Sequence, residues 1–327
     1  MNLLPENLQP IELKTNHQTL HHVFDKKAIS AVNAAIAINR PLLIWGEPGI
    51  GKSQLARAVA QRLKRVFIPY VCDAHTESRD LLWSFDAVAR LAEAQIQGSA
   101  DSDTRKEALA IENFIKPQAL WWALNWKRAK GCGDEPPYST PCDPKHGVVI
   151  LIDEIDKADS DVPNGLLEVL GSQRFQPQGV GSVEAVSTAV PPIIIITTNN
   201  ERHLPDAFIR RCLSLHLEFP ADKEKNSEKR KQLQSDFLIE RSRAQKSLKG
   251  LKDEDIKKAA DMLVEDRQVA KEKHLSPLCG QAEFFDLLRG VIALSEKQQG
   301  KSASQLIDEL RSYVYQKHPQ FPRQADT

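Results

Sequence analysis

Three apolar runs stand out from an otherwise mixed chain: Pro41-Leu42-Leu43-Ile44-Trp45, Gly147-Val148-Val149-Ile150-Leu151-Ile152, and Ile193-Ile194-Ile195-Ile196. Strands that are apolar on both faces belong inside a parallel sheet covered by helices. Leu213-Ser214-Leu215-His216-Leu217-Glu218-Phe219 alternates instead, as an edge strand with one wetter face should. Val66–Cys72 reads as a further strand. Between the strands the period changes to helical. Lys26–Arg40 carries Ile29, Val32, Ala35 and Ile36 on one stripe, Gln54–Arg65 is a second helix, and Leu81–Gln97 repeats Leu82, Phe85, Val88, Ala89 and Ala92. A later helical block holds Trp121, Trp122 and Trp126, for which core packing is the expected role. Gly98–Thr104 and Gly131–Lys145 read as loops. Strands alternating with helices predict an α/β domain over residues 26–220, and the polar, irregular residues 1–25, with His17, His21 and His22, read as a lead-in segment.

The pattern shifts after Pro220. Residues 221–327 are rich in Lys, Glu, Asp and Gln and contain no strand pattern. Four helices are predicted near 224–246, 253–273, 280–297 and 303–317, punctuated by Gly250, Ser276-Pro277 and Gly300. A small all-helical second domain follows, which agrees with a chain of 327 residues exceeding the usual size of one core.

Composition narrows the partners. The formal net charge is zero, which argues against non-specific attraction to nucleic acid or to an anionic membrane. No stretch is long and apolar enough to span a bilayer, and the opening residues lack the pattern of a signal peptide, so a cytoplasmic location is expected. The five cysteines, Cys72, Cys132, Cys142, Cys212 and Cys279, form no C-x-x-C pair. Cys132, Cys142 and His146 lie close in sequence, but with irregular spacing and no fourth ligand they do not make a zinc site.

The chemistry begins directly after the first apolar run. Gly46-Glu47-Pro48-Gly49-Ile50-Gly51-Lys52-Ser53 is the pattern G-x-x-x-x-G-K-[ST] between a strand and a helix. Such a loop turns its backbone N–H groups toward phosphate oxygens, and the helix that follows points its positive end at the same place. Lys52 would reach the β- and γ-phosphates, and Ser53 would ligate magnesium. The second run ends in Asp153-Glu154. In that setting Asp153 suits support of the metal and Glu154 suits polarisation of an attacking water. The third run ends in Thr197-Thr198-Asn199-Asn200, and a parallel sheet would bring its tip to the same edge, where Asn199 could hold the water or touch the γ-phosphate. Arg210 and Arg211 close a short helix before the edge strand; in a ring they could reach a neighbour's γ-phosphate.

The order of phosphate loop, LIDEIDKAD, TTNN, AFIRRC and a helical tail resembles the AAA+ ATPases, most of all their MoxR-type branch, related to the dynein-like group. Phe24–Lys27 with Ala31–Ala35, Pro41–Ser53, Val162–Leu167 and Leu204–Cys212 carry the likeness over roughly residues 22–220. The resemblance implies a P-loop AAA+ parallel sheet flanked by helices, followed by a helical lid over 221–327. It implies ATP and magnesium as ligands and a homo-oligomer, a hexameric ring with ATP between subunits. Asn199 becomes the first sensor, and Arg210 or Arg211, preferably Arg211, the finger acting in trans. A β-hairpin is implied over Arg174–Ala189 with Gly179 and Gly181 at its tip, and the base would lie between His22–Phe24 and the lid. One feature departs from the family: no arginine stands in Ser276–Glu283, where many members place one facing the nucleotide, and Arg289 comes two turns later.

These features point to an ATP-hydrolysing remodeller of a protein partner, which the resemblance suggests is a von Willebrand factor A domain protein or another neighbouring-gene product. A nucleotide-gated scaffold with slow hydrolysis is the first alternative, although an intact Glu154 argues against it. A nucleic-acid-stimulated motor or loader is the second, and the neutral charge argues against that. A small GTPase is disfavoured because no N-K-x-D motif follows the phosphate loop.

Overall fold

A computed structural model describes residues 3–14, 19–96, 102–133, 135–136, 139–140, 142–186, 190–297, 300–319 and 321. Contacts divide the chain into two compact units. The first contains Met1–Asn7, Asp25–Trp45 and Ser53–His216; the second contains Leu8–Phe24, Gly46–Lys52 and Leu217–Thr327. The phosphate-loop stretch Gly46–Lys52 therefore groups with the helical tail, while Ser53 groups with the sheet.

In chain order, β1 (Ile11–Lys14) and β2 (Thr19–His22) precede α1 (Lys26–Ile38), β3 (Leu42–Gly46), α2 (Lys52–Arg62) and β4 (Val66–Val71). Next come β5 (Trp83–Phe85), α3 (Ala87–Ile96), α4 (Ser102–Ala108), β6 (Ile115–Pro117), α5 (Ala119–Leu124) and α6 (Trp126–Cys132). Then follow β7 (Val148–Asp153), α7 (Asp161–Gly165), α8 (Leu167–Ser172), β8 (Arg174–Phe175), β9 (Val183–Glu184), β10 (Ile193–Thr198), α9 (Asp206–Ile209) and β11 (Leu213–Leu217). Helices α10 (Ser227–Arg243), α11 (Asp253–Glu272), α12 (Gln281–Ser295) and α13 (Ala303–Val314) complete the chain.

The first unit is built on a five-stranded sheet of order β11-β3-β10-β7-β4. The β3–β10, β10–β7 and β7–β4 ladders are all parallel. The apolar runs occupy the central strands, and every residue of β10 is buried, as two covered faces require. The alternating strand β11 lies at the edge. Trp121 and Trp122 are buried in the core of this unit, in line with the packing role expected for them. In the second unit, α10 to α13 form close to the positions that their period predicts, around Leu238, Leu263, Phe284 and Leu288.

Three expectations need correction. Residues 81–97 are not one helix: Trp83–Phe85 pairs antiparallel with Ile115–Pro117, and the helix starts only at Ala87. A strand partner thirty residues downstream overrides the helical spacing there. Of the residues spaced for that helix, Leu82 is core, whereas Phe85, Val88, Ala89 and Ala92 are exposed, Val88 by 79%. The lead-in is not irregular either. Ile11 pairs with His22 and Leu13 with Leu20 in an antiparallel ladder, and the amide of Gln245 bonds both the N–H and the C=O of His21. Residues 102–104, expected in a loop, open α4. The hairpin over 174–189 forms within its described part, with Arg174 opposite Glu184 and Gly179 at φ +73°. His17, residues 98–101, parts of 131–145 and residues 187–189 lie outside the described residues. Among the described residues no helix is long and apolar enough to cross a membrane.

The contrast between the central sheet and α3 is measurable. Ile150→Ala removes a fully buried side chain and should cost about 2–5 kcal/mol in urea unfolding. Val88→Ala should stay within about 0.5 kcal/mol. Equal losses at the two positions would contradict the assigned core.

Candidate functional site

Strand register creates the acidic part of the site. Ile196 of β10 pairs with Ile152 of β7, so Thr197 comes beside Asp153 where both strands reach the same edge. Trp45, the last residue of β3 within this unit, pairs with Thr198 on the other side of β10. In parallel α/β sheets this carboxyl edge is where ligands bind.

Thr197 then holds two residues at once. Its hydroxyl donates to Asp153 Oδ1 and accepts the Glu154 N–H at 2.9 Å. Glu154 sits in the left-handed region at φ 57°, ψ 47°, a conformation that costs a non-glycine residue on the order of 1 kcal/mol. The Thr197 bond offsets that cost and aims the Glu154 side chain. Asn199 Nδ2 lies 3.4 Å from Glu154 Oε1, and Lys157 Nζ lies 2.5 Å from Glu154 Oε2. The carboxylate of Glu154 raises the Lys157 pKa, chiefly through this hydrogen bond.

Ser53 Oγ lies 2.9 and 2.8 Å from the two carboxylate oxygens of Asp153. A hydroxyl beside a carboxylate offers hard oxygen donors, the set that magnesium prefers over nitrogen or sulfur. The predicted pairs Ser53–Asp153 and Glu154–Asn199 are thus assembled within the first unit. Arg210 and Arg211 are exposed at the end of α9, where Arg211 Nη1 donates to Ala207 O at 3.0 Å and the Arg40 guanidinium binds both of their backbone carbonyls.

The rest of the phosphate loop is shaped within the second unit. Lys52 Nζ donates to Gly46 O at 2.7 Å and Glu47 O at 3.0 Å, which curls residues 46–52 around the ammonium. Gly49 and Gly51 take φ +76° and +101°. A Cβ on Gly49 would also come within 2.8 Å of Ala282 Cβ, so glycine is required there for both conformation and space. Among the sequence candidates, Pro48 and Ile50 complete the loop, with Ile50 packed against the helical core.

Besides Thr197, two participants were not foreseen. Asp156 is buried, and its Oδ2 accepts the N–H groups of Asn199 and Glu201 at 3.1 and 2.9 Å, pinning the segment that carries Asn199. No local signal marks it among the acidic residues around it. Arg267 is buried in α11 and bonds Glu47 of the loop at 2.6 Å. Its signal was available, since it falls between Leu263 and Ala270 on the apolar stripe of its helix. Arg289 instead pairs with Asp286, one turn back on its own helix.

Two measurements test this geometry. Thr197→Val leaves the Glu154 N–H without its acceptor and should cost about 1–3 kcal/mol in urea unfolding. Burial pushes the Cys72, Cys212 and Cys279 thiols up to about 12, and for Cys72 the neighbouring Asp153 adds to the effect. At pH 8 only about one part in ten thousand of each is thiolate. A disulfide exchange reagent should therefore label exposed Cys142 rapidly and these three only after unfolding. Rapid labelling of Cys72 in the native protein would contradict its placement behind Asp153.

The chain matches the family model described as AAA domain (dynein-related subfamily) over residues 41–212. A search of curated protein sequences found no match. Among solved structures, a RuvB mutant from Thermotoga maritima is 17% identical with a TM-score of 0.45, and the match covers 88% of this chain and 68% of that one. NtrX from Brucella abortus in complex with ATP is 16% identical with a TM-score of 0.49, covering 94% of this chain and 58% of that one. The Thermotoga maritima RuvB Holliday junction branch migration motor is 15% identical with a TM-score of 0.44, covering 88% and 67%. The family model spans more than half of the sequence and includes the phosphate loop, the β7 acidic pair and the Thr197–Asn199 segment, so the chain belongs to the AAA domain family of ATPases, in its dynein-related subfamily.

Proposed function

We propose that this chain binds Mg·ATP and hydrolyses it as a MoxR-type AAA+ protein, working as a ring of identical subunits, most simply a hexamer, that remodels or activates a protein partner. The observation that carries the reading is the Ser53–Asp153 pair on the same sheet edge as Glu154 and Asn199. In this reading residues 26–220 form the nucleotide-binding domain, 221–327 the lid and 1–25 the lead-in.

The loop amides and Lys52 bind the phosphates, and Ser53 and Asp153 hold magnesium, which when bound offsets charge on the phosphate oxygens. Glu154 accepts a proton from the attacking water. Asn199, held in reach of Glu154, orients that water. Arg210 and Arg211 need not serve their own subunit's nucleotide, because they close an exposed helix end. Arg211 of one subunit supplies positive charge to a neighbour's γ-phosphate once it leaves the Ala207 carbonyl, and Arg210 is the substitute candidate. The partner class follows from the family resemblance: a von Willebrand factor A domain protein or another product of a neighbouring gene.

One observation favours a second reading, the scaffold with slow hydrolysis. Lys157 occupies the Glu154 carboxylate that would act as base. The pair is partly exposed, and such pairs are worth at most about 1 kcal/mol, so a bound water or substrate phosphate can displace it. The hydrolytic reading therefore stands ahead.

Turnover and binding separate the two. Lys52→Ala should abolish Mg·ATP binding measured by calorimetry. Glu154→Gln should bind ATP as well as the unmodified chain but hydrolyse it about 100-fold or more slowly. Equal, slow turnover by Glu154→Gln and the unmodified chain would establish the scaffold. No Mg·ATP binding by the unmodified chain, alone or with its partner, would overturn both readings.

A further inference from the structure

The second unit contains a buried cation that the reaction scheme above does not use. Arg267 lies on the apolar stripe of α11 with its side chain 1% exposed. Its Nη2 donates to Glu47 Oε2 at 2.6 Å and to Asp222 Oδ2 at 3.3 Å, and its Nη1 donates to Cys279 O at 2.9 Å. The guanidinium lies over the Phe219 ring, 4.4 Å from its centre. One planar group thereby ties together the phosphate loop, the segment after β11, α11 and the turn that precedes α12.

The two carboxylates are not equivalent. Asp222 has other partners: Lys271 Nζ at 2.7 Å and Gln234 Nε2 at 2.8 Å. Glu47 relies far more on Arg267. Glu47 is also the residue whose backbone carbonyl receives Lys52 Nζ at 3.0 Å and the Ile50 N–H at 3.4 Å. Its side chain is therefore held from α11 while its carbonyl holds the loop's ammonium. A triphosphate brings several negative charges to this loop, and a carboxylate there repels them unless it is neutralised. A bidentate-capable guanidinium, always charged and stacked on an aromatic ring, is suited to do so at a fixed position.

The geometry points to Arg267 as a positioning residue for the nucleotide. It neutralises Glu47 and sets the first turn of the phosphate loop, so the helical unit prepares the loop before ATP arrives. This rests on the ATP-binding reading and adds a residue outside the loop and the sheet edge. It also accounts for a lid that carries no arginine in Ser276–Glu283: the lid's cation acts on the loop from α11.

Calorimetric Kd values and steady-state kinetics on the full chain test it. R267Q should raise the Kd for Mg·ATP about tenfold or more and raise KM, while kcat at saturating ATP stays within about threefold. R267K keeps the charge and loses the fork, and should raise Kd about fivefold. E47Q, which keeps an acceptor and the side-chain shape but removes the charge, supplies the second single variant of the cycle. E47Q/R267Q removes both charges and should recover most of the affinity lost in R267Q, as coupled neighbours do, while the split between a raised KM and a kept kcat separates positioning from a merely structural role. Should R267Q fail to fold, R267K and the neutral double variant decide the matter: an R267K Kd equal to that of the unmodified chain overturns the proposal. A folded R267Q with unchanged Kd overturns it too, as does a double variant no tighter than R267Q. If K52A loses binding while every Arg267 variant retains it, only this inference fails. If the unmodified chain does not bind Mg·ATP, the ATP reading itself fails.

Discussion

A single hydroxyl organises the acidic edge of the sheet. Thr197 is buried, donates to Asp153 and accepts from the backbone of Glu154, so two consecutive acidic residues are held in different roles by one side chain. The carboxylate of Asp153 turns toward Ser53, while Glu154, its backbone in the left-handed region, turns toward Asn199 and Lys157. Without the β7–β10 register that sets Thr197 beside Asp153, neither orientation follows. A slip of one residue would turn Thr197 to the opposite face of the sheet. Asp156 gives the same edge its second anchor by fixing the backbone of Asn199.

The phosphate loop obeys a different constraint. It must curl tightly, tolerate close neighbours and remain attractive to anions. Its glycines meet the first two requirements: Gly49 combines positive φ with a neighbouring methyl that leaves no room for a Cβ, and a Cβ on Gly46 would lie 2.6 Å from Leu217 O. The third is complicated by Glu47, an acidic residue inside an anion-binding loop, and Arg267 answers it. The loop is thus shaped by helices distant in sequence, whereas the Ser53–Asp153 pair, one residue on α2 and the other at the end of β7, belongs to the first unit.

Much of this was legible from residue order. Periodicity located the central strands and the four terminal helices, because strands covered on both faces and amphipathic helices leave patterns set by nearest neighbours. The G-x-x-x-x-G-K-S stretch and Asp153-Glu154 were legible for a related reason: their chemistry needs particular residue types at fixed local spacing. The failures share one cause. Trp83–Phe85 has acceptable helical spacing and becomes a strand only because Ile115–Pro117 lies beside it. The hairpin of β1 and β2 has only four residues in each strand, too few for a clear period, and is steadied through His21 by Gln245, 224 residues away.

The sequence by itself determined the G-x-x-x-x-G-K-S loop, the acidic strand tip and the alternation of strands and helices, since each is encoded within a few consecutive residues. Only the tertiary structure decided which hydroxyl holds the acidic pair, that Asp156 is a buried anchor among more accessible carboxylates, and that Arg267 pairs with a carboxylate 220 positions away. Hydrogen bonds and charge compensation act through space over a few ångströms, and no local pattern records which distant side chain will arrive within that range.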